Sequence, residues 1–226
     1  YEFRGTWVAT VVNIDWPKSG KDSAEQQKKD FLKLLDFYET LNLNTLIVQI
    51  RTAGDAFFPS EMAPWSRFMT GQEGQPKDGF NDPLKWMVEK THERGMQFHA
   101  WLNPYRATFD LDTTILAENH DFNQHRDWMI KYGKKFYYDP GNRKVQQHLT
   151  RIVGEVVENY AVDGIHFDDY FYPYKIKDEF FNDTITYATN ALPDQSLEDW
   201  RRSNIDTLIR QVHTTIKTKK PWVRFG

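Results

Sequence analysis

The sequence has no cysteine, no long apolar run and little net charge, and each absence excludes a class of protein. Without cysteine the chain cannot form disulfides, thiolate zinc sites, iron–sulfur clusters or a cysteine nucleophile. No run approaches the roughly 18 apolar residues that a membrane-spanning helix needs. The 29 Lys and Arg residues against 32 Asp and Glu give a net charge of -3, which argues against non-specific nucleic-acid binding. Phosphate-binding loops, serine nucleophile elbows and kinase signatures are absent as well.

The chain does contain many aromatic residues, and it is long enough for a substantial core. Its 226 residues suit one domain, and aromatic residues make up 15% of them, including 8 Trp. The sequence opens at Tyr1 without a signal-peptide pattern. We therefore expect that any targeting segment has been removed from this sequence.

Strand-like and helix-like segments alternate along the chain. Short β-branched and aromatic runs predict strands, and apolar residues at helical spacing with capping residues predict helices. The predicted strands are 3–14, 45–51, 96–102, 163–168 and 221–226, and the predicted helices are 23–41, 82–94, 123–132, 142–160 and 197–217. This alternation indicates an α/β fold with a parallel sheet covered by helices.

A doubly wound sheet and a (β/α) barrel both fit this alternation, and two features favour the barrel. The first strand is not followed by a glycine-rich phosphate fingerprint. The long aromatic segments, such as 52–80, come after strands, which is where barrel active sites are built. We therefore predict an incomplete barrel of about five parallel strands in a single domain over residues 1–226.

Strand alternation separates an apolar face from a polar one. Because neighbouring side chains point to opposite faces, the apolar residues of each strand would meet the helices and the others would project into the barrel. The inward polar set is Gln49, Arg51, His99, Asn103, His166, Asp168 and Arg224, and Trp101 shares the face of His99. Burying so many polar side chains costs free energy unless each of them has a hydrogen-bond partner. A hydrogen-bonded polar layer and a ligand-facing pocket are the two alternatives.

Carboxylates at strand ends are the candidate catalytic groups. Asp168 and Asp169 follow the fourth strand, where a carboxylate can act as nucleophile, acid, base or metal ligand. Asp15 and Asp55 follow the first two strands and could supply a second carboxylate or bind sugar hydroxyls. The alternative for each of these residues is a turn in which Asp bonds nearby backbone.

Aromatic residues also concentrate after strands, where flat apolar rings could stack on sugar rings. The candidates are Trp7, Trp16, Tyr105, Tyr170 and Tyr172, and the alternative is that they fill the barrel mouth as packing. The seven His form no H-x-H or H-E-x-x-H pair, so we predict neither a metal nor another cofactor. A metal-dependent hydrolase remains an alternative that inhibition by chelators would reveal.

Several segments together resemble the bacterial glycosyl-hydrolase-like family ten. They are Arg4–Thr10 (RGTWVAT), the NIDWP that follows at 13–17, QIR at 49–51, HAWLNPYR at 99–106, DPG at 139–141, VDGIHFDDYFYP at 162–173, WRR at 200–202 and PWVRFG at 221–226. The matches run through the whole chain in order, and the motif around Asp168 is the most specific.

The resemblance implies a (β/α)8 barrel, glycoside hydrolysis and an exported, periplasmic or cell-surface protein. It places Asp168 as a strand-four carboxylate that often serves as nucleophile in related barrels. It also implies that the sugar site is lined by Arg51, His99, Asn103, Tyr105, Arg106, His166 and Asp169. The implied partner is an oligo- or polysaccharide such as the glycan strands of the bacterial cell wall, and the rival function is a non-catalytic glycan-binding barrel.

Five βα units fall short of the eight that a barrel needs. We therefore expect the chain to be the first part of a barrel, with a second catalytic carboxylate either beyond it or supplied by Asp169 or Asp55. The first and fifth strands would then be open edges, which predicts pairing with other chains there.

Overall fold

The computed structural model describes residues 2–168 and 170–226 as an α/β structure. Its strands are β1 (Gly5–Val8), β2 (Thr45–Arg51), β3 (Gln97–Leu102), β4 (Met129–Tyr132), β5 (Lys135–Tyr138), β6 (Gly164–Phe167) and β7 (Arg224–Phe225). Its α-helices are α1 (Ala24–Thr40), α2 (Arg67–Thr70), α3 (Pro83–His92), α4 (Asp121–Gln124), α5 (Arg143–Asn159), α6 (Thr184–Asn190) and α7 (Leu197–Lys219).

The main sheet has five parallel strands in the order β1-β2-β3-β6-β7, and β4 and β5 form a separate antiparallel hairpin. Each strand of the main sheet lies beside the one that precedes it in that sheet along the chain. The order therefore never reverses, which is the arrangement of a barrel and not of a doubly wound sheet.

The helices cover one face of this sheet. Leu46, Val48, Ile50, Phe98, Ala100 and Ile165 share one buried cluster with core residues of the long helices, among them Phe31, Leu84, Val153 and Leu208. The predicted apolar faces are thus confirmed as the faces that meet the helices. Burying one face in this way leaves the other face for the barrel interior, as the alternation predicted.

Local sequence signals set the helix starts as predicted. Ser23 accepts a hydrogen bond from the Gln26 amide at 3.2 Å, and Asn142 accepts one from the Lys144 amide at 2.9 Å. Asp82 caps α3 at the Lys85 amide, and Pro83 occupies the first turn. These side chains satisfy amide groups that have no partner inside the helix.

The first predicted strand is much shorter than expected. Only Gly5–Val8 is strand, and Val11–Asn13 forms a 3-10 turn in which Val12 and Asn13 have positive φ angles of 53° and 56°. Asp15 closes this turn, because its Oδ2 accepts from the Ala9 amide at 2.7 Å. The β-branched composition of 8–14 was therefore misleading, since tertiary contacts overrode the local preference.

The predicted helix at 123–132 is wrong. The chain there ends the short helix α4 and then forms the β4–β5 hairpin, whose turn contains Gly133 at φ 58°. Ile130 and Tyr132 are buried while Lys131 is exposed, which is the period of two expected for a strand. The aromatic run 136–138 therefore pairs with β4 across a turn.

The long segment 52–80 is packed more tightly than a functional loop requires. Phe57 and Phe58 are fully buried in the core, and Ala56 forms a parallel bridge with Trp65. Part of the aromatic excess after strands is therefore packing.

In the parts of the chain that the structure covers, no helix combines the length and apolar character needed to cross a membrane.

Candidate active site at the carboxyl ends of the strands

A chain of side-chain amides joins the carboxyl ends of four neighbouring strands. The Gln49 Oε1 accepts from the amides of Thr10 and Val11 at 3.0 and 2.9 Å, and its Nε2 donates to Asn103 Oδ1. The Asn103 Nδ2 in turn donates to the main-chain oxygen of Asp168 at 3.1 Å. Gln49 and Asn103 thus form a hydrogen-bonded polar layer, which was one of the two alternatives. Their structural role is to fix the segments that follow β1, β3 and β6.

Asp168 lies at the end of β6 with its side chain exposed to solvent. The hydrogen bond from Asn103 to its main-chain oxygen holds this residue at the mouth formed by the strand ends. A fixed backbone with an exposed carboxylate can present that carboxylate to a bound molecule. The second catalytic candidate, Asp169, lies outside the described residues.

Below the mouth, the inner face of the sheet carries a histidine pair. The Nδ1 of His99 lies 2.8 Å from the Nε2 of His166, and the two rings stack with centroids 5.0 Å apart. Gly164 makes room for this pair, because a Cβ there would lie 2.7 Å from the His99 ring. The alternation correctly placed both histidines inside the barrel.

The buried imidazole of His99 resists protonation. Burial lowers its pKa to about 4, and the nearby His166 and Arg224 act in the same direction. Burial also lowers the pKa of His166. Both rings are therefore neutral at neutral pH, so their contact is a hydrogen bond between neutral rings.

This low pKa predicts a loss of stability in acid that depends on His99. Between its ordinary value of 6.5 and the folded value of about 4, the unfolded chain binds a proton that the folded chain excludes. The stabilising contribution is therefore complete above pH 6.5 and is lost as the pH falls toward 4. Urea unfolding across this window should show a smaller loss for His99→Gln than for the unsubstituted protein. Equal pH dependence in the two proteins would contradict this prediction.

Two tryptophans extend the inner face. Trp7 is 46% exposed, and its ring meets Trp101 edge-on at 5.0 Å and His166 at 5.4 Å. Trp101 is 8% exposed. Trp7 is therefore placed where a flat apolar ligand could reach it, whereas Trp101 mainly supports Trp7.

Trp16 does not lie at the mouth, so the prediction that it stacks on a sugar is wrong. It is fully buried beneath α1, where its Nε1 donates to the Gln27 oxygen at 2.8 Å and its ring packs edge-on against Phe31. The 3-10 turn redirects the chain after β1, and this carries Trp16 to the helix side of the sheet.

The two tryptophans should therefore respond differently to truncation. We expect Trp16→Ala to lower the free energy of unfolding by about 3–5 kcal/mol, because it empties a packed core site. Trp7→Ala should cost about 1 kcal/mol, since nearly half of that side chain already contacts water. Urea unfolding of both variants measures this difference, and similar losses would show that the two sites are not distinct in packing.

Asp15 and Asp55 are turn residues, as the alternative interpretation held. Asp55 is 3% exposed, and its carboxylate accepts from the amides of Thr52 and Ala53 and from the Thr52 hydroxyl, each at 2.8 Å. The Asp15 Oδ2 accepts a hydrogen bond from the Ala9 amide, and the Asp15 carboxylate lies near Tyr38 of α1. Neither is placed as a second catalytic carboxylate, because local backbone holds the carboxylate of each.

Arg51 belongs to a buried charged network and does not reach the mouth. Its guanidinium donates to the Tyr138 hydroxyl and to the main-chain oxygen of Asp55, each at 3.2 Å. The Tyr138 hydroxyl donates to Asp121 at 2.7 Å, and that carboxylate lies 2.8 Å from His148 Nε2. The network joins β2, β5 and α5, and it replaces the predicted sugar contact of Arg51 with a structural role.

Arg224 lies at the wrong end of the sheet for a sugar contact. It pairs with Gly164 at the start of β6 and lines an open depression of about 650 Å³ with Gln97 and Asp163. These residues mark the amino ends of the strands, whereas barrel catalysis occurs at the carboxyl ends. Strand alternation predicts a face for a residue but does not predict its position along the strand, and that position is what removes Arg224 from the mouth.

The remaining predicted aromatics differ in exposure. Tyr105 is 1% exposed beneath Phe171, and burial raises the pKa of its hydroxyl, so it is not open for stacking. Tyr172 is partly buried, with Asn204 donating to its hydroxyl at 3.2 Å. Tyr170 is 51% exposed and contacts Tyr174 with ring centroids 4.0 Å apart.

Arg106, also predicted to line the sugar site, is partly buried, and its backbone forms a bridge with Tyr137.

A second carboxylate cluster lies under the segment that follows Asp168, and sequence reasoning missed it. Asp183 is buried and accepts two hydrogen bonds from Arg201, both at 2.7 Å. Asp139 accepts from the Thr186 hydroxyl and the Gly141 amide, each at 2.8 Å, and burial raises its pKa to about 6. The DPG motif carried a signal for Asp139, but Asp183 stands in no recognisable pattern.

In the described part of the chain, no group of three or more His, Asp or Glu side chains is arranged to hold a metal ion.

A family model described as glycosyl hydrolase-like 10 matches residues 2–226. The chain belongs to this family. It is 44% identical over 227 residues to glycosyl hydrolase YngK of Bacillus subtilis (strain 168), covering 100% of this chain and 44% of that protein. It is 40% identical over 239 residues to glycosyl hydrolase DigH of Escherichia coli (strain K12), covering 99% of this chain and 54% of that one. The chain thus spans about half the length of the curated relatives it matches.

Solved structures support the fold of this glycosyl hydrolase-like 10 chain. It superposes on α-L-fucosidase isoenzyme 2 from Paenibacillus thiaminolyticus with a TM-score of 0.64 and 15% identity, over 100% of this chain and 32% of that one. It superposes on the α-galactosidase TtGalA from Thermus thermophilus with a TM-score of 0.54 and 12% identity, over 100% and 38%. At such identities the likeness concerns the fold alone, which is part of a TIM-barrel fold as predicted.

Proposed function

We propose that this protein hydrolyses glycosidic bonds of a polysaccharide, with Asp168 as the nucleophile or base. The observation that carries the proposal is the exposed carboxylate of Asp168 at the end of the fourth parallel strand, held at the mouth through the amides of Gln49 and Asn103. The chain belongs to a glycosyl hydrolase-like family, and glycosidases cleave their substrates with a pair of carboxyl groups. This supports a role for the Asp168 carboxylate in glycoside hydrolysis.

Exposed aromatic rings near Asp168 support a saccharide as the ligand. Tyr170 follows Asp168 by two positions with half of its side chain exposed, and Trp7 lies on the inner face below the mouth. Flat apolar rings of this kind can stack on the C–H faces of sugars. Asp169, which follows Asp168 directly in sequence, is the candidate general acid within this chain.

Release of reducing ends from a panel of glycans tests the proposal. The panel includes peptide-free strands of bacterial cell wall, since the sequence resemblance implies this glycan as one candidate substrate. Hydrolysis of one member is the expected result, and binding without hydrolysis would favour a non-catalytic glycan-binding barrel. Inhibition by a chelator would instead support a metal-dependent hydrolase.

We also propose that the protein is exported and works in the periplasm or at the cell surface. The support is the sequence resemblance, which implies an exported protein that acts on a cell-wall glycan or another polysaccharide. Cell fractionation of the source bacterium, followed by protease treatment of intact cells, tests the location. Recovery with cytoplasmic markers would contradict it.

A further inference from the structure

Beside the mouth, a mixed aromatic and basic surface is built from two adjacent segments. We call it the lysine–tyrosine surface; its members are Lys134, Tyr170, Tyr174, Lys175, Ile176 and Lys177. Tyr174 is 69% exposed and Ile176 is 41% exposed, and all three lysines are exposed. Large apolar side chains exposed together with cations commonly mark a binding surface.

The two segments are held together by specific contacts. The Tyr132 hydroxyl donates to the Tyr174 oxygen at 3.1 Å and accepts from the Ile176 amide at 2.6 Å. The Gly133 amide donates to the Glu179 carboxylate at 2.8 Å, which ties the hairpin turn to the same segment. Lys134 thus lies in a turn that contacts the segment carrying Lys175 and Lys177.

The lysines and the acidic residues of this surface differ in whether they have a bonding partner. No ion pair is formed by Lys134, Lys175 or Lys177 within the described residues. Of the two nearby acids, Glu179 is directed to the Gly133 amide, and Asp178 is exposed. Three ammonium groups without an ion pair among the described residues therefore lie on the same two segments as the exposed rings, on a chain whose net charge is -3.

We propose that the lysine–tyrosine surface binds acidic saccharide units of the polysaccharide, that is, sugars bearing carboxylate or phosphate groups. The tyrosine rings stack on the sugar ring, and the lysines pair with its anionic groups. The surface is continuous with the mouth, because Tyr170 lies two residues from Asp168 and packs on Tyr174. The inference rests on the proposed function, for which it names a substrate class.

Affinity electrophoresis in gels containing polygalacturonate, alginate or neutral dextran tests this binding without any hydrolysis readout. We expect retardation by the two acidic polymers and not by dextran, and weakening of this retardation by salt. The triple variant Lys134→Gln, Lys175→Gln, Lys177→Gln should bind the acidic polymers about tenfold more weakly. Tyr174→Ala should also weaken binding.

The matched control replaces three exposed lysines outside the lysine–tyrosine surface, Lys18, Lys29 and Lys85, with Gln. It removes the same charge and should leave retardation unchanged. Equal losses in the two triple variants, or equal retardation by dextran, would overturn the proposal.

Further results distinguish acidic saccharides from anionic lipids as the ligand. They also distinguish a failure of this binding inference from a failure of the proposed hydrolytic function. Binding to phosphatidylglycerol vesicles but to neither acidic polymer would overturn the saccharide assignment in favour of a lipid surface. Normal retardation by acidic polymers in a protein that hydrolyses no glycan would refute the proposed function while keeping this inference. Hydrolysis of neutral glycans alone, without retardation, would do the reverse.

Discussion

Replacing Asp168 with Asn is expected to reduce glycan hydrolysis by a factor of about 100 to 10,000, because the amide cannot act as nucleophile or base. The side chain is exposed and keeps nearly the same size, so the fold should not suffer. Reducing-end release at saturating glycan measures the effect. Glycan binding should persist in the variant, since the amide chain through Gln49 and Asn103 depends only on the main chain of Asp168.

Asp178→Asn is the matched control for this substitution. Asp178 lies in the same segment, is exposed and has a φ of 63°, a conformation that Asn adopts readily. It should retain full hydrolytic activity. An unaltered rate in Asp168→Asn would remove Asp168 from the catalytic role, and an equal loss in both variants would indicate a general effect of charge.

Replacing Arg201 with Leu is expected to lower the free energy of unfolding by about 3–5 kcal/mol. The Asp183 side chain that it contacts has no exposed surface, so the substitution leaves a buried carboxylate without its cation. Arg201 also lies over the rings of Tyr172 and Phe181, and the substitution removes those contacts as well. Urea unfolding measures the change.

The neighbouring residue provides the control. Arg202 also pairs with an aspartate, Asp199, but both side chains are more than half exposed. Arg202→Leu should change stability by about 0.5 kcal/mol or less, since water screens an exposed pair. A comparable cost for the two substitutions would mean that the Asp183 site is not buried as described. Loss of hydrolysis without loss of stability in Arg201→Leu would point to a direct role at the mouth.

Pairing with other chains at the two edges of the sheet is a further prediction. In the described residues β1 and β7 each pair with one neighbour only. Exposed strand edges favour pairing with other chains, so we expect self-association in sedimentation velocity that increases with concentration. A single monomeric species across the concentration range would contradict it.

The sequence by itself determined the order of the five strands of the main sheet and the faces of those strands. The apolar residues of β2, β3 and β6 could meet only the helices, because strand alternation leaves no other choice once one face is apolar. Capping residues such as Ser23, Asp82 and Asn142 placed the helix starts, because these signals are local. The barrel assignment followed from the alternation of strands and helices, and the family followed from the matching motifs along the chain.

The tertiary structure decided which residues are accessible. Trp16 and Arg51 looked like site residues, yet the turn at Val11–Asn13 buries one and the Tyr138–Asp121 network engages the other. Position along the strands separates Arg224, which pairs with Gly164 at the start of β6, from Asp168, which follows the end of that strand. The contact of the β4–β5 hairpin with Tyr174 and Ile176 joins residues about 40 positions apart, which no local pattern encodes. Chain direction after a strand and contacts between distant segments depend on packing, and packing is set by the whole fold.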